Sequence, residues 1–221
     1  MKLRSIFLIL LTAFLFIQCT QKEEINTPEP FLPIPGKAQL NWHKAEYIMF
    51  VHFGMKTFYP SNDHMGYGKE DPQKFNPVKF DANQWVEAAK EGGFKGIVLT
   101  TKHHDGFCNW QSDLSPHNVK NSPWRDGKGD IVKELAKACR KGGVYFGIYV
   151  SLIDKYYEQA NNGDYSEYGE YYYNQLKELS TQYGTIDEYW FDGYQADNLT
   201  IDYKKITDLI QLYEVLQYLH F

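Results

Sequence analysis

Short apolar runs alternate with amphipathic segments from Ala45 onward. The runs are YIMFVHFG, GIVLT, FGIYVS and IDEYWF, and they carry apolar residues at consecutive rather than alternate positions. Strands that are apolar on both faces and separated by helices are typical of parallel α/β sheets. The pattern therefore predicts about four βα units in succession.

The segments between these strands carry helix signals. Asp81 and Gln84 form a predicted capping box before the first helix, and Asp130 is placed to cap the second. Paired glycines end both helices, at Gly92-Gly93 and Gly142-Gly143. Residues predicted to face the core at helical spacing are Trp85, Ala88 and Ala89, then Ile131, Leu135 and Ala138, then Tyr172, Leu176, Leu179 and Tyr183, and in a last helix Ile206, Leu209, Ile210, Tyr213 and Leu216.

The predicted fold class is α/β, as the first half of a (β/α)₈ TIM-like barrel with about four βα units. A doubly wound parallel sheet is the competing architecture. It is disfavoured because no glycine-rich phosphate-binding turn follows the first strand, where His52-Phe53-Gly54 stands instead.

Polar residues follow each predicted strand at its C-terminal end. The first strand ends in His52, the second in His103-His104-Asp105-Gly106, the third in Tyr149-Val150-Ser151 and the fourth in Asp192-Gly193. In a barrel, active-site groups gather at this end of the strands. The distribution therefore favours a functional site, although His52 alone could be structural and Asp192-Gly193 alone could be an ordinary turn.

A metal site at His103, His104 and Asp105 is an alternative. Barrel metalloenzymes often use a His-x-His pair, because alternate residues of a strand share a face. Adjacent histidines lack that spacing and suit hydrogen bonds to sugar hydroxyls better, so neither a metal nor a cofactor is predicted. Trp110, just beyond, could offer a flat apolar face to a sugar ring or could simply belong to the core.

Asp192 is the best candidate for a nucleophile. It follows the aromatic run Tyr189–Phe191, which predicts a poorly solvated neighbourhood, and Gly193 allows a close backbone turn. A carboxylate at a barrel mouth fits the covalent step of retaining glycoside hydrolysis. That chemistry also needs a second carboxyl group as general acid.

Composition narrows the classes of partner. The chain has 221 residues, is 43% hydrophobic and carries a formal net charge of -5. This composition supplies one sizeable core and gives no basic surface for nucleic acid, so no nucleic-acid partner is expected.

The N-terminus has the pattern of a targeting segment. Lys2 and Arg4 precede an apolar stretch that ends at Ile17, too short to span a bilayer well. Cys19 at its end resembles the lipidated cysteine of a bacterial lipobox, although Gln18 replaces the small residue usual there and leaves ordinary secretion as the alternative.

The predicted organisation is a signal peptide with lipobox over 1–19, a tether over 20–37 and the N-terminal part of a catalytic barrel over 38–221. The protein would be exported across the inner membrane of a bacterium. It would then be periplasmic or attached to the outer membrane, with membrane contact only through the lipid anchor.

Four stretches carry a family resemblance: MFVHFGMKTF, NPVKFDANQWVEAAKEGGFKGIVLTTKHHDGFCNW, HNVKNSPWRDGKGDIVKELAKACRKGG and EYWFDG. They closely resemble α-L-fucosidases of glycoside hydrolase family 29, and most of all the branch acting on α-1,3/1,4-linked fucose. The resemblance runs from about Ala38 to the end of the chain. It implies a (β/α)₈-like barrel, retaining hydrolysis without a metal, and a fucosylated glycan as substrate.

The resemblance also implies roles for particular residues. Asp192 matches the nucleophile, and the residues that match or adjoin the sugar-binding positions are His52, His103, His104, Tyr149 and Trp110. Two departures stand out. His64-Met65 replaces the Glu-Trp pair of the family, and the third strand runs into SLIDKYY, where relatives have Ser-Pro-Trp-Asp.

The last residues, QLYEVLQYLHF, do not resemble the family's continuation. The family's general acid lies in the half that follows, and no acidic residue of this chain matches it. The sequence therefore predicts a shortened gene product whose exposed barrel edges favour self-association. The alternative to a working enzyme is a fucose-binding lipoprotein or an inert remnant.

Overall fold

The computed structural model describes residues 34–59, 66–193, 201–213 and 218–220. The predictions for the signal segment, for Cys19, for most of the tether and for His64-Met65 lie outside these residues. Within them, no helix has the length and apolar character that crossing a membrane would require.

The strands form one parallel sheet in which spatial order follows chain order. In the described residues the strands are β1 (Ile48–Val51), β2 (Gly96–Lys102), β3 (Tyr145–Ser151), β4 (Glu188–Asp192) and β5 (Tyr218–His220). Consecutive parallel neighbours joined by helical crossovers are the repeating unit of a (β/α)₈ barrel. The predicted α/β class, as the first part of such a barrel, is confirmed.

The helices in the described residues include two that the sequence pattern did not indicate. Their ranges are α1 (Lys37–Ala45), α2 (Ala82–Glu91), α3 (Ile131–Gly142), α4 (Lys155–Ala160), α5 (Tyr168–Gln182) and α6 (Tyr203–Tyr213). The unpredicted helices are α1 and α4. Both are short, and α4 is capped locally by Asp154, whose side chain accepts the N–H of Tyr157.

The predicted helix ends are largely correct. The Asp81 side chain accepts the N–H groups of Asn83 and Gln84, and the Asp130 side chain accepts that of Lys133. Gly143 ends α3 in the left-handed conformation, with φ of 67°, which a glycine adopts without strain.

The predicted core faces are correct for α3 and α5 and wrong in part for α2. On α2 the buried residues are Ala82, Val86 and Ala89, whereas Ala88 is exposed and Trp85 only half-buried. The apolar stripe runs i, i+4, i+7 from Ala82. Trp85, the largest apolar residue of the helix, therefore lies beside the buried stripe and not within it.

The last element differs from the prediction. The predicted last helix reaches Leu216, which lies outside the described residues; its described part is Tyr203–Tyr213, and the fifth strand, Tyr218–His220, was not predicted. The backbone of β5 pairs in parallel with Glu188–Trp190 of β4. Three residues after a helix are too few for a strand signal to be recognised.

A fully buried ion pair joins the C-terminal end of β2 to the start of α4. Lys102 Nζ lies 2.9 Å from Asp154 Oδ2, and neither side chain has any exposed surface. The ammonium also donates to Gln175 Oε1 of α5 at 2.8 Å and lies 5.1 Å from the centre of the Tyr172 ring. The other Asp154 oxygen caps α4 by accepting the N–H of Tyr157. One charge pair thus connects two strand-end loops and a helix.

We expect Lys102→Met to lower the free energy of unfolding by about 3–5 kcal/mol, because it leaves the Asp154 carboxyl buried without its counter-charge. Urea titration of the variant and the wild type measures the loss. The matched control is Lys120→Met, which removes the pair with Asp113, whose side chains are 44% and 82% exposed. That change should cost under about 1 kcal/mol. Equal, small losses in both variants would contradict the prediction.

Candidate active site

The loop after β2 turns sharply and keeps both histidines at one place. The pairing of β2 with β3 shifts register between Thr100 and Lys102, so the strand is irregular before it ends. The N–H of Gly106 then donates to the carbonyl of His103, and the rings of His103 and His104 lie 4.3 Å apart between centroids. The shift and the turn together explain how adjacent residues serve one site.

The ends of β1, β2, β3 and β4 converge there. The His103 ring lies 5.7 Å from that of His52 and stacks on Tyr149 at 5.6 Å with 15° between the planes. The Tyr149 hydroxyl donates to Asp192 Oδ2 at 2.6 Å, and His104 Nε2 lies 3.8 Å from the same oxygen. Five residues singled out by the sequence are therefore in one cluster.

The carboxylate of Asp192 is held from both sides. Besides the Tyr149 bond, its Oδ1 accepts the N–H of Gly193 at 2.7 Å. Partial burial acts to raise the pKa of Asp192, but the Tyr149 and Gly193 hydrogen bonds and the nearby charges of His104 and His103 together lower the pKa below its usual value. An ionised carboxylate at neutral pH follows.

Trp110 does not belong to the cluster, which corrects its predicted sugar-binding role. Its side chain has no exposed surface, and the indole N–H donates to Glu178 Oε2 at 2.9 Å. After the turn the loop folds back, so that Lys102 and Cys108 form an antiparallel bridge and the N–H of Asn109 donates to the carbonyl of Thr101. This return carries Trp110 into the core.

The structure adds residues that the sequence did not single out. Ser151, at the end of β3, has its Oγ 2.6 Å from His104 Nδ1. Asn109 Nδ2 donates to the carbonyls of Phe53 and Thr100, joining the ends of β1 and β2. The ring of Phe50 contacts Tyr149 edge-on at 5.7 Å. Two of them carried a usable signal: Phe50 lies two residues before His52, and Ser151 two residues after Tyr149, so each shares a strand face with a candidate site residue.

A cavity of about 210 Å³ opens between the ends of β1 and β2, beside the cluster; among the residues that line it are His52, Lys56, His103, Asp105 and Asn109. Asp105 is almost completely buried. Burial raises the pKa of Asp105 to about 7, against the opposing hydrogen bond from the N–H of Phe107, and the carboxylates of Glu70 and Asp154 raise it further. Near neutral pH the cavity wall therefore includes a carboxyl group that still holds its proton in part of the molecules.

This combination defines the class of protein. The C-terminal ends of parallel barrel strands present an ionised carboxylate, a tyrosine that donates to it, and a row of imidazoles able to hold hydroxyl groups. Such a site is suited to glycoside hydrolysis. In the part of the chain that the structure describes, no three His, Cys, Asp or Glu side chains are grouped to share a metal ion.

Comparison with known proteins identifies the family. The family model described as alpha-L-fucosidase matches residues 34–219. The chain therefore belongs to the α-L-fucosidase family, glycoside hydrolase family 29.

Several relatives are similar over most of this chain. Alpha-L-fucosidase 1 of Arabidopsis thaliana is 46% identical over 170 residues, which are 77% of this chain and 33% of the relative. The crystal structure of a Bacteroides ovatus homologue superposes with a TM-score of 0.78 at 41% identity, over 85% of this chain and 32% of that one. A Ruminococcus gnavus fucosidase of family 29, solved as a mutant in complex with fucose, has a TM-score of 0.72 at 32% identity, over 86% and 43%. The chain spans about a third of the length of the curated relatives it matches.

We expect Tyr149→Phe to raise the pKa of Asp192 toward its usual value. The lost hydrogen bond stabilises the ionised carboxylate more than the protonated carboxyl group, so its removal favours the protonated form. A carbon-13 NMR titration of the Asp192 carboxyl measures the change. Tyr145→Phe is the control, because Tyr145 belongs to the same strand but is 43% exposed. An unchanged pKa of Asp192 in Tyr149→Phe would disprove the role of the hydroxyl.

We expect Asp105→Asn to flatten the pH dependence of stability between about pH 4 and pH 7. The pKa of Asp105 is about 7 in the folded chain, against 3.8 as the ordinary value. Between these values the folded state holds a proton that the unfolded state has lost, so the free energy of unfolding of the wild type falls as pH rises. In Asp105→Asn no proton is bound at this position, so the free energy of unfolding does not fall with pH for this reason.

Urea titrations at several pH values give the difference between wild type and Asp105→Asn, which should change by up to roughly 1.4 kcal/mol per pH unit within the window. Asp113→Asn, at an exposed carboxylate, serves as control and should leave the pH dependence as it is. A constant difference between Asp105→Asn and wild type would contradict the prediction.

Proposed function

We propose that this chain supplies the nucleophile and the fucose-binding residues of a retaining α-L-fucosidase. In this proposal Asp192 attacks the anomeric carbon of a terminal α-L-fucose residue of a glycan. The observation that carries the proposal is the ionised Asp192 carboxylate, held by Tyr149 and Gly193 at the end of β4 and flanked by His104.

The two chemical steps make different demands on this carboxylate. In the first, a bond forms between an Asp192 oxygen and the anomeric carbon while the glycosidic bond breaks, and the leaving oxygen takes a proton from a general acid. In the second, water attacks the same carbon and gives a proton to the group that served as the acid, the bond to the Asp192 oxygen breaks, and fucose is released with Asp192 negatively charged again. The Tyr149 hydroxyl favours that charge, so it assists the departure of Asp192 in the second step.

The imidazoles of His52, His103 and His104 would hold the hydroxyl groups of the sugar. Each ring offers one donor and one acceptor when neutral, which matches the dual character of a hydroxyl. The fucose complex of the Ruminococcus gnavus relative supports the choice of sugar.

A second candidate is binding of fucose without turnover. It is favoured by the resemblance, in which His64-Met65 replaces the Glu-Trp pair of the family. Lipid attachment at Cys19, with a periplasmic or outer-membrane location, belongs to either candidate and remains a proposal.

Hydrolysis of a nitrophenyl α-L-fucoside by the 221-residue chain tests the first candidate. A nitrophenolate leaves with little protonation, so the reaction depends weakly on a general acid. We expect release of nitrophenol and a fall of roughly a thousandfold or more in Asp192→Ala. Asp113→Ala, at a carboxylate that is 82% exposed, is the matched control and should keep full activity.

The outcomes separate the candidates. Equal rates for Asp192→Ala and the wild type would refute the nucleophile. A folded wild type that binds L-fucose but releases no nitrophenol would favour fucose binding without turnover. An initial sugar product of β configuration would refute the retaining mechanism.

A further inference from the structure

The hydroxyl of Ser151 is surrounded by three polar groups at hydrogen-bond distance. Its Oγ lies 2.6 Å from His104 Nδ1, 2.8 Å from the carbonyl oxygen of Ile153 and 2.9 Å from the backbone nitrogen of Ile153. Ser151 has no exposed surface. The Tyr149 hydroxyl also interacts with Ser151, but its own proton is donated to Asp192 Oδ2. The position of the Ser151 proton therefore depends on the three closer contacts.

The count of hydrogens determines which nitrogen of His104 carries one. A carbonyl oxygen only accepts, so the single hydroxyl proton of Ser151 is committed to Ile153, and the N–H of Ile153 occupies one of the two lone pairs. The remaining lone pair faces His104 Nδ1, which must therefore carry a hydrogen. If the hydroxyl donated to His104 instead, two oxygens would face each other at 2.8 Å with no proton between them.

The other ring nitrogen is thereby directed to the nucleophile. His104 Nε2 lies 3.8 Å from Asp192 Oδ2, the oxygen that already accepts from Tyr149. With Nδ1 protonated, the ring is either the cation, whose Nε2–H points toward the carboxylate, or the neutral form, whose Nε2 can only accept. The neutral tautomer with its hydrogen on Nε2 is excluded.

Backbone pairing fixes the positions of Ser151 and Asp192 relative to each other. They are paired partners in the parallel ladder of β3 and β4, and the N–H of Leu152 donates to the carbonyl of Asp192 at 2.7 Å. The hydroxyl that orients His104 and the carboxylate that His104 faces are therefore fixed by the same pairing. A shift of one strand would disturb both.

We propose that Ser151 is a positioning residue of the fucosidase site: it fixes His104 with a hydrogen on Nδ1, and so presents Nε2 to Asp192 and to a hydroxyl group of the bound sugar. The sugar in this statement rests on the proposed function, whereas the tautomer rests on the contacts of Ser151 alone. When His104 is neutral, Nε2 accepts, and the sugar hydroxyl at this position must donate.

Nitrogen-15 NMR of the histidine rings in the 221-residue chain tests the tautomer. In the wild type we expect the hydrogen of neutral His104 on Nδ1. In Ser151→Ala we expect part or all of the hydrogen to move to Nε2, and in Ser151→Thr, which keeps the hydroxyl, we expect the wild-type pattern. A wild type with the hydrogen on Nε2 overturns the proposal even if no variant folds.

Ser180→Ala is the matched control. Ser180 is a buried serine of α5 whose Oγ contacts the carbonyl of Leu176 and the hydroxyl of Tyr189 at 2.8 and 2.9 Å. Its loss should lower stability to a similar degree and leave the His104 signals unchanged. Changed His104 signals in Ser180→Ala, or unchanged ones in Ser151→Ala, would contradict a specific effect of Ser151.

Titration with L-fucose links the tautomer to function. We expect Ser151→Ala to bind fucose about tenfold more weakly than the wild type, as for one lost hydrogen bond, and Ser151→Thr to restore the affinity. A shifted tautomer with unchanged affinity overturns the positioning role. A wild type that does not bind fucose refutes the proposed function. The nitrogen-15 NMR result on the tautomer does not depend on this binding measurement.

Discussion

The arrangement of the site depends on the buried ion pair between Lys102 and Asp154. Lys102 directly precedes the two histidines, and Asp154 follows Ser151 by three residues while capping α4. A charge pair without access to water is stable only in one close geometry, because any separation leaves two desolvated charges. The pair therefore keeps the loop of His104 and the loop of Ser151 at a fixed distance, which the bond from the N–H of Lys155 to the carbonyl of His104 reinforces.

The ion pair also accounts for the glycine in the His-His-Asp-Gly turn. Gly106 has φ of 82°, and a Cβ there would lie 2.1 Å from Asp154 Oδ1. A side chain would push Asp154 away from Lys102, so the turn and the ion pair require each other. The sequence identified the turn, but the residue that requires a glycine there, Asp154, lies 48 residues further along the chain.

Features that depend on residues close together in the sequence could be predicted from it. Asp81, Asp130 and Gly143 act within a few residues, and their roles as helix caps and stops could be identified from the sequence. The cluster of His52, His103 and Asp192 could be expected because strand ends of a barrel meet at one edge. Trp110 and Ser151 could not be assigned, since their surroundings come from a returning loop and a neighbouring strand. The backbone pairing of β5 likewise depends on β4 and not on its own three residues.

Two carboxylic acids near the histidines differ in charge because their surroundings differ. Asp192 is about half exposed and accepts from Tyr149 and Gly193, so its pKa is low and it is ionised at neutral pH. Asp105 is buried and accepts one backbone N–H, and burial raises its pKa to about 7. The proposed nucleophile must be charged and accessible, and of these two carboxyl groups only that of Asp192 meets both conditions. Asp105 contributes to the cavity wall a carboxyl group that is partly protonated near neutral pH, and its burial makes it unsuited to the role proposed for Asp192.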